Sequence, residues 1–393
     1  MALARSLRRT NPITIVLAGL LAIGFLFFIL SPTSTAAFTS QERNDDAAQN
    51  PLSPPTKPFR KSQAAGGRLA PPPVVHYNMN NVTTSGSAAN NRERILILTP
   101  LSRFYTGYWE NLTKFTYPHQ YISLGFIIPK TREGNAAYSA LQAAITKSQS
   151  GPIDDRFASI TILRQDFPPP IQSQDEKERH KLENQKIRRE SMSRARNSLL
   201  FTTLGPSTSW VLWLDSDIVE TPPTLIEDMT GHDKPVLVAN CYQRFRNPDT
   251  KEMDIRPYDY NSWTDTQRSL EIAKNMGHDE IMLEGYGELP TFRNLMALSA
   301  DRSENRNTSE IMELDGVGGT ALMVKAPVHR DGAMFPPFPF YHLVESEGFA
   351  KMARRLGWKC FGLPNYFVRL TSPTPAGEMP ANRPLLQVYH YNE

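Results

Sequence analysis

The sequence predicts an α/β domain with a parallel sheet, carried behind an N-terminal apolar helix and a disordered stem. Three observations carry this expectation. From about residue 92, short apolar runs alternate with helix-length segments, the pattern of βαβ units. One uncharged run near the N-terminus is long enough to cross a bilayer. Between the two lies a stretch dominated by Pro, Ser, Thr, Asn, Gln and Ala.

Residues 13–30 read ITIVLAGLLAIGFLFFIL, 18 residues without a charge. At ~1.5 Å per residue they span roughly 27 Å, close to a thin bilayer core. Arg5, Arg8 and Arg9 precede the run, and no Lys or Arg follows until Arg43. The positive-inside rule then leaves residues 1–12 cytoplasmic and the remainder luminal. A cleaved signal peptide is the rival reading, since Ser34-Thr35-Ala36-Ala37 offers small residues. The run is longer than a usual signal core, which favours an uncleaved anchor.

Residues 31–91, with Pro71-Pro72-Pro73 near their end, cannot bury enough apolar surface to offset their ordering entropy. They are expected to act as a disordered, partly extended spacer. Anchor, stem and luminal domain (92–393) together describe a type II membrane protein. Asn81-Val82-Thr83, Asn111-Leu112-Thr113 and Asn307-Thr308-Ser309 are glycosylation sequons that agree with this compartment. The chain carries 43 Lys+Arg and 40 Asp+Glu, a net charge of +3. That balance excludes an acidic disordered chain and supplies no cationic field for nucleic acid. Two cysteines, Cys241 and Cys360, make neither a disulfide framework nor a CxxC zinc site. Buried free thiols are the expected state.

Within the luminal domain, Arg94–Pro100, Tyr121–Ile128, Phe157–Leu163, Trp210–Leu214 and Pro235–Ala239 read as buried strands. Gly134–Lys147 is Ala-rich and helical. Asp175–Leu204 reads as one long helix with a charged, solvated first half. Its second half packs through Met192, Ala195 and Leu199, and Gly205-Pro206 stops it. Glu345–Leu356 reads as a further helix. The order implies a Rossmann-type sheet. There is no GxGxxG and no Walker loop, so a phosphate site must be built another way.

The sharpest candidate is Asp215-Ser216-Asp217, directly after the apolar strand Trp210–Leu214. Open α/β sheets bind ligands at the carboxyl ends of their strands. Residues i and i+2 of an extended chain point to one side, so two carboxylates there can share a hard divalent cation, Mg²⁺ or Mn²⁺. Such a cation would hold the diphosphate of a nucleotide-sugar. The competing reading is a strand end that caps the next helix. In Met312-Glu313-Leu314-Asp315-Gly316-Val317-Gly318-Gly319-Thr320, Glu313 and Asp315 abut glycines that permit close backbone approach to a ligand, or they mark a solvated tight turn. Arg256-Pro257-Tyr258-Asp259-Tyr260-Asn261-Ser262-Trp263 suits sugar recognition, or is a surface loop with packed aromatics. Glu345 and Glu347 open a helix, where the dipole also favours acids. Arg188, Arg189, Arg194 and Arg196 could pair with phosphates, Arg196 being the donor-site candidate, or lie solvated on the long helix.

Together these stretches resemble a known family. The segments ILILTPL (95–101), YWENL (108–112), SLGF (123–126), RARN (194–197), WVLWLDSDIVETP (210–222), DYNSW (259–263), MELDGVGGTALMVKA (312–326) and ESEGFAKMARRLG (345–357) are similar to those of the fungal mannan polymerase subunits. This is the Anp/Van/Mnn group of Golgi mannosyltransferases, glycosyltransferase family 62. The resemblance covers roughly residues 92–368. It implies a GT-A fold, GDP-mannose as donor, Mn²⁺ as metal, and retaining α-1,6-mannosyl transfer that extends the mannan backbone of N-glycans. It further implies hetero-oligomeric complexes with other mannan polymerase subunits in the cis-Golgi membrane.

By the same resemblance Asp215 and Asp217 are the metal–diphosphate carboxylates, and His390 matches a family metal ligand. Thr99, Pro100 and Leu101 lie where the nucleotide would rest, with Arg196 and Asp215 on the donor. Asp259 and Asp315 are the candidate acids of the reaction centre. Whether a side chain attacks the anomeric carbon, or the acceptor enters on the leaving-group face, stays open. Residues 369–388 depart from the family pattern and read as an insertion, either a surface loop or a retained non-coding segment. Two rival functions follow: a mainly structural subunit with an impaired site, and a luminal lectin or glycosidase.

Overall fold

The computed structural model describes residues 74–167, 182–247, 250–286 and 289–370. The expected tail, anchor, most of the stem and His390 lie outside the described residues. No helix among the described residues is long and apolar enough to cross a membrane.

The chain runs β1 (Arg94–Pro100), α1 (Thr106–Lys114), β2 (Ile122–Ile128), α2 (Arg132–Gln149), β3 (Ser159–Arg164), α3 (Leu182–Thr203), β4 (Thr208–Leu214), β5 (Ile218–Glu220), α4 (Leu225–Gly231) and β6 (Val236–Arg246). It continues through β7 (Met253–Pro257), β8 (Trp263–Thr264), α5 (Gln267–Lys274), β9 (Asn294–Leu295), β10 (Met312–Leu314), β11 (Ala321–Lys325), α6 (Ala326–Arg330), α7 (Glu345–Arg355) and β12 (Cys360–Leu370). The five expected strands are all present, as β1, β2, β3, β4 and a longer β6. The N-terminal part of the expected long helix, 175–181, lies outside the described residues.

The main sheet has the order β10-β12-β6-β11-β4-β1-β2-β3, with β5 on β12 and β7 on β6. β3, β2, β1 and β4 are parallel. The sheet as a whole is mixed, which corrects the expectation of a parallel one. β11 enters antiparallel between β4 and β6, and β10 is antiparallel to β12. After β3 the chain crosses back to β4 on the far side of β1, so the crevice of a switch point opens where β1 and β4 end.

Strand alternation sorts the core into two faces. Ile95, Ile97, Trp210, Leu212 and Leu214 pack with Tyr108 and Leu112 of α1 and with Ala137 and Leu141 of α2. Leu96, Leu98, Val211 and Trp213 pack with Leu199 and Leu200 of α3 and with Phe349, Ala350 and Ala353 of α7. The sheet is thus covered on both sides. By the same parity the residue after Leu214 turns toward the α3/α7 face.

Packing also reaches back into the expected stem. Ala88 is buried. Glu93 Oε2 accepts from the Trp210 indole N–H at 2.7 Å, and Tyr117 Oη donates to the Ala88 and Glu93 carbonyls. At the other end, β12 continues through Arg369 and Leu370, the first two residues of the expected insertion; Leu370 is buried.

Candidate active site

The acid pair sits at the carboxyl end of β4, and its backbone is a turn rather than an extended strand. The Ile218 N–H donates to the Asp215 carbonyl at 3.1 Å, and the Asp215 N–H donates to the Thr320 carbonyl at 2.9 Å. The extended-chain geometry expected for the pair is therefore replaced by a tight bend fastened to the start of β11. Asp215 lies on the α3/α7 face, as strand parity requires. Its Oδ1 accepts from Arg196 Nη2 at 2.9 Å, with 29% of its side chain exposed.

Burial pushes the Asp215 carboxyl up to about 7, helped by Asp217 and Glu345, while Arg196 pulls it back. Repulsion from Asp217 means that the two carboxylates crowd one another. A third acid is close. The Cys241 thiol is pushed well above its ordinary range by burial, then by Asp259, Asp217 and Asp215. Both cysteines are buried and free.

Asp259 is 6% exposed and fixed by three donors. Its Oδ1 accepts from the Asn261 N–H at 2.9 Å and from Asn261 Nδ2 at 2.8 Å. Its Oδ2 accepts from the Thr320 hydroxyl at 3.1 Å. Asn261 is in turn held by Arg189 Nη2 at 2.8 Å.

Helix α3 supplies the cations. Arg189 and Arg196 are seven residues apart, two turns along one face, and both are buried. Arg196 Nε donates to Glu345 Oε1 at 3.2 Å, and Arg189 Nη1 pairs with the fully buried Glu347. The two acids that open α7 thus meet the two buried arginines of α3, Arg196 and Arg189. Burial works against the Arg196 charge, but Asp215 and Glu345 more than offset it and raise its pKa. Arg196 Nη1 is buried without a hydrogen-bond partner, a donor that a native fold rarely leaves unused.

Glu347 also accepts from the Trp263 indole N–H at 2.8 Å, and the Arg293 guanidinium stacks 3.5 Å from the Trp263 ring centre. Arg293 pairs with Glu284 at 2.8 Å and with Asp265 at 3.2 Å. Sequence reasoning missed Arg293 and Glu284. They lie in irregular segments, where no periodicity marks a buried position.

The glycines after Asp315 serve internal approach. A Cβ on Gly316 would stand 2.4 Å from the Trp263 ring, one on Gly318 would stand 1.8 Å from Asp259 Oδ2, and one on Gly319 would stand 2.9 Å from Arg196 Nη2. What comes close to this backbone is the protein's own site side chains. Asp315 takes the Asp265 N–H at 2.8 Å on Oδ2 and pairs with Arg354 of α7 through Oδ1. Glu313 is exposed and pairs with Lys359 at 2.9 Å. Thr99 is buried: its hydroxyl donates to the Leu214 carbonyl at 2.8 Å and lies 2.5 Å from Tyr108 Oη. That bond ties the end of β1 to the end of β4. Leu101 is in the core and Pro100 is half-buried.

The structure therefore gathers Asp215, Asp217, Asp259, Arg196, Arg189, Glu345 and Glu347 around the ends of β4 and β11. Asp315 faces Arg354 instead. No group of three or more His, Cys, Asp or Glu side chains among the described residues is set to hold a metal; the expected third ligand, His390, is outside them.

Residues 73–339 match the Anp1 family model. The chain is 58% identical to the mannan polymerase complex subunit MNN9 of Candida albicans over 281 residues, 71% of this chain and 75% of that protein. It is 56% identical to the corresponding Schizosaccharomyces pombe subunit, over 71% of this chain and 80% of that one. It is 36% identical to the mannan polymerase II complex ANP1 subunit of Saccharomyces cerevisiae, over 70% and 54%. Among solved structures, a Pyrobaculum calidifontis mannosyltransferase in complex with GDP-Man and Mn²⁺ aligns with a TM-score of 0.39 at 10% identity. That alignment takes in 75% of this chain and 61% of that one, a likeness too distant to bear on function. By the family match and the identity of these relatives, the chain belongs to the Anp1 family, the Anp/Van/Mnn group of mannan polymerase subunits.

Proposed function

We propose that this chain is a Golgi membrane mannosyltransferase of GT-A type. In this reading it moves mannose from GDP-mannose to an α-mannoside acceptor with retention, and extends the α-1,6 mannan backbone of N-glycans as one subunit of a mannan polymerase complex. The run 13–30 anchors it and its catalytic domain is luminal. Relatives named as mannan polymerase subunits support the assignment. The observation that carries it is Asp215-x-Asp217 at the carboxyl end of β4, paired through Asp215 with an arginine whose Nη1 is buried and unpartnered.

The residues fit a divalent cation such as Mn²⁺. The donors are hard carboxylate oxygens, as such a cation requires. Asp217 helps to raise the Asp215 pKa, so a positive charge is favoured between the two. Asp215 and Asp217 would hold it. Bound there, the metal supplies charge neutralisation for the departing diphosphate. Arg196 keeps a permanent positive charge at the same place, braced by Glu345, and offers Nη1 to a negatively charged oxygen. Asp259 keeps a buried carboxylate fixed by three donors, suited to stabilising positive charge on a sugar carbon rather than to free movement.

The test is GDP binding to the detergent-solubilised full chain, with and without Mn²⁺, followed by transfer from GDP-mannose to an α-mannoside with the partner subunits co-expressed. The expected result is Mn²⁺-dependent GDP binding in the wild type and its loss in Asp217→Ala. Undiminished transfer by Asp217→Ala would overturn the reading.

A further inference from the structure

We propose that Asn81 and Asn307 are N-glycan acceptor sites, and that the third sequon asparagine, Asn111, is not. The proposal rests on the luminal placement argued above. All three sequons have equal standing in the sequence, and the fold separates them.

Asn307 and Ser309 are both exposed in the loop between β9 and β10. Asn307 Oδ1 accepts from the Ser309 N–H at 3.1 Å, which closes the sequon into a turn with its hydroxyl residue beside the amide. The loop is fastened from behind: Asn365 Nδ2 donates to the Asn307 carbonyl at 3.1 Å and to Glu310 at 2.7 Å. The anchoring uses the backbone and leaves the Asn307 side chain outward. Asn81 and Thr83 are likewise exposed, at the end of the 3₁₀ turn Met79–Asn81 that Asn78 caps.

Asn111 differs in each respect. It lies within α1, 9% exposed, next to the buried Leu112. Its Nδ2, the atom a glycan would occupy, donates to the Ile218 carbonyl at 3.4 Å. Ile218 begins β5, immediately after the turn that carries Asp215 and Asp217. A sugar on Asn111 would force α1 away from β5, and a chain modified there could not close this fold.

The co-substrate class is a lipid-diphosphate-linked oligosaccharide, used by an oligosaccharyltransferase. The side-chain amide nitrogen attacks C1 of the sugar and a C–N bond forms. The C1–O bond breaks, the lipid diphosphate leaves with the electron pair, and the amide proton passes to the transferase's base.

The experiment expresses the full chain in a eukaryotic host with an added C-terminal tag carrying an unstructured sequon, and counts glycans by endoglycosidase shift and peptide mass spectrometry. The expected result is modification of the tag, Asn81 and Asn307. Asn81→Gln and Thr83→Ala should each remove one glycan, as should Asn307→Gln and Ser309→Ala, while Asn111→Gln removes none. Because Thr83→Ala and Ser309→Ala keep the asparagine, they separate lost modification from a folding defect. A glycan on Asn111, or a modified tag with bare Asn81 or Asn307, overturns the proposal. An unmodified tag overturns the luminal placement and the sites with it.

Discussion

Arg196 grips Asp215 with one guanidinium nitrogen, Nη2 to Oδ1 at 2.9 Å, while its Nε reaches Glu345 at 3.2 Å. The planar fork thus spans two acids from two different elements, and its carbon lies 5.3 Å from the Trp213 ring centre and 5.4 Å from that of Phe335. A lysine keeps the charge but has neither the fork nor the plane. Arg196→Lys is expected to fold and to lose roughly tenfold or more in transfer rate, since removing one preorganised donor costs about 10²–10³ in well-studied sites. Circular dichroism alongside the transfer assay checks this, and wild-type turnover in the variant would remove Arg196 from the site.

The glycines beside it make a graded prediction. Gly318→Ala would drive a methyl group into Asp259 Oδ2 at 1.8 Å, whereas Gly319→Ala meets the end of the Arg196 side chain at 2.9 Å. Asp259 is held by three hydrogen bonds and cannot yield without losing some of them. Overpacking of this kind costs about 1–3 kcal/mol. Gly318→Ala should therefore be less stable than Gly319→Ala in denaturant unfolding, and less active per folded molecule. The reverse order of stabilities would contradict the close approach described.

How far the site could be read from sequence depends on which rule governed each residue. β4 was legible because an uninterrupted apolar run must be buried on both faces, and Asp215-x-Asp217 stood at the end of it. On the long helix α3 the expected packing through Ala195 and Leu199 is present, but the packed face is wider and more polar than apolar spacing alone indicates. Its buried positions include Gln185, Arg189, Ser193, Arg196 and Asn197, while Ile187 and Phe201 are exposed. A rule that seeks apolar periodicity fails where the face turned to the core is polar and supplies the site's charges. β11 was hidden for a different reason. Ala321–Lys325 directly follows the glycines, and nothing local reveals that a strand will be inserted antiparallel between β4 and β6. The link from Arg189 to Glu347 joins residues 158 positions apart, so only the fold brings them together, while that from Arg293 to Glu284 closes an irregular loop over nine residues and leaves no periodic trace.

The Arg189–Glu347 pair is expected to be coupled. Glu347 is fully buried and also accepts from Trp263, and Arg189 also holds Asn261. Removing one partner leaves a buried charge short of its nearest counter-ion, with Arg293 at 4.0 Å still beside Glu347, at a cost of up to about 3–5 kcal/mol. Arg189→Met and Glu347→Gln should each destabilise strongly, and the double variant by less than the sum of the two. Chemical denaturation of all four proteins measures the coupling. Additive effects would mean that the two side chains do not sense each other.

His329 sets a pH dependence beneath the site. Its Nε2 accepts from the Trp213 indole N–H at 3.2 Å. Tryptophan only donates, so the ring is neutral, with its proton on Nδ1 and directed at the Ala333 carbonyl 2.8 Å away. Burial lowers the His329 pKa from 6.5 to about 4, with the bond to Ala333 opposing it weakly. Between those values the unfolded chain binds a proton that the folded chain does not, so stability falls as pH falls. This contribution is complete above pH 6.5 and is lost as the pH drops toward 4. At roughly 1.36 kcal/mol per pH unit, the loss between pH 7 and pH 5 is about 2 kcal/mol. Unfolding midpoints at the two pH values should therefore differ more for the wild type than for His329→Gln, which has nothing to titrate. Equal slopes in the two proteins would mean that the imidazole does not carry the effect. Protonating Nε2 would also take away the acceptor of the Trp213 N–H, and Trp213 is the ring against which Arg196 rests. Acid should thus loosen the support of Arg196 and weaken GDP binding in the wild type before global unfolding sets in.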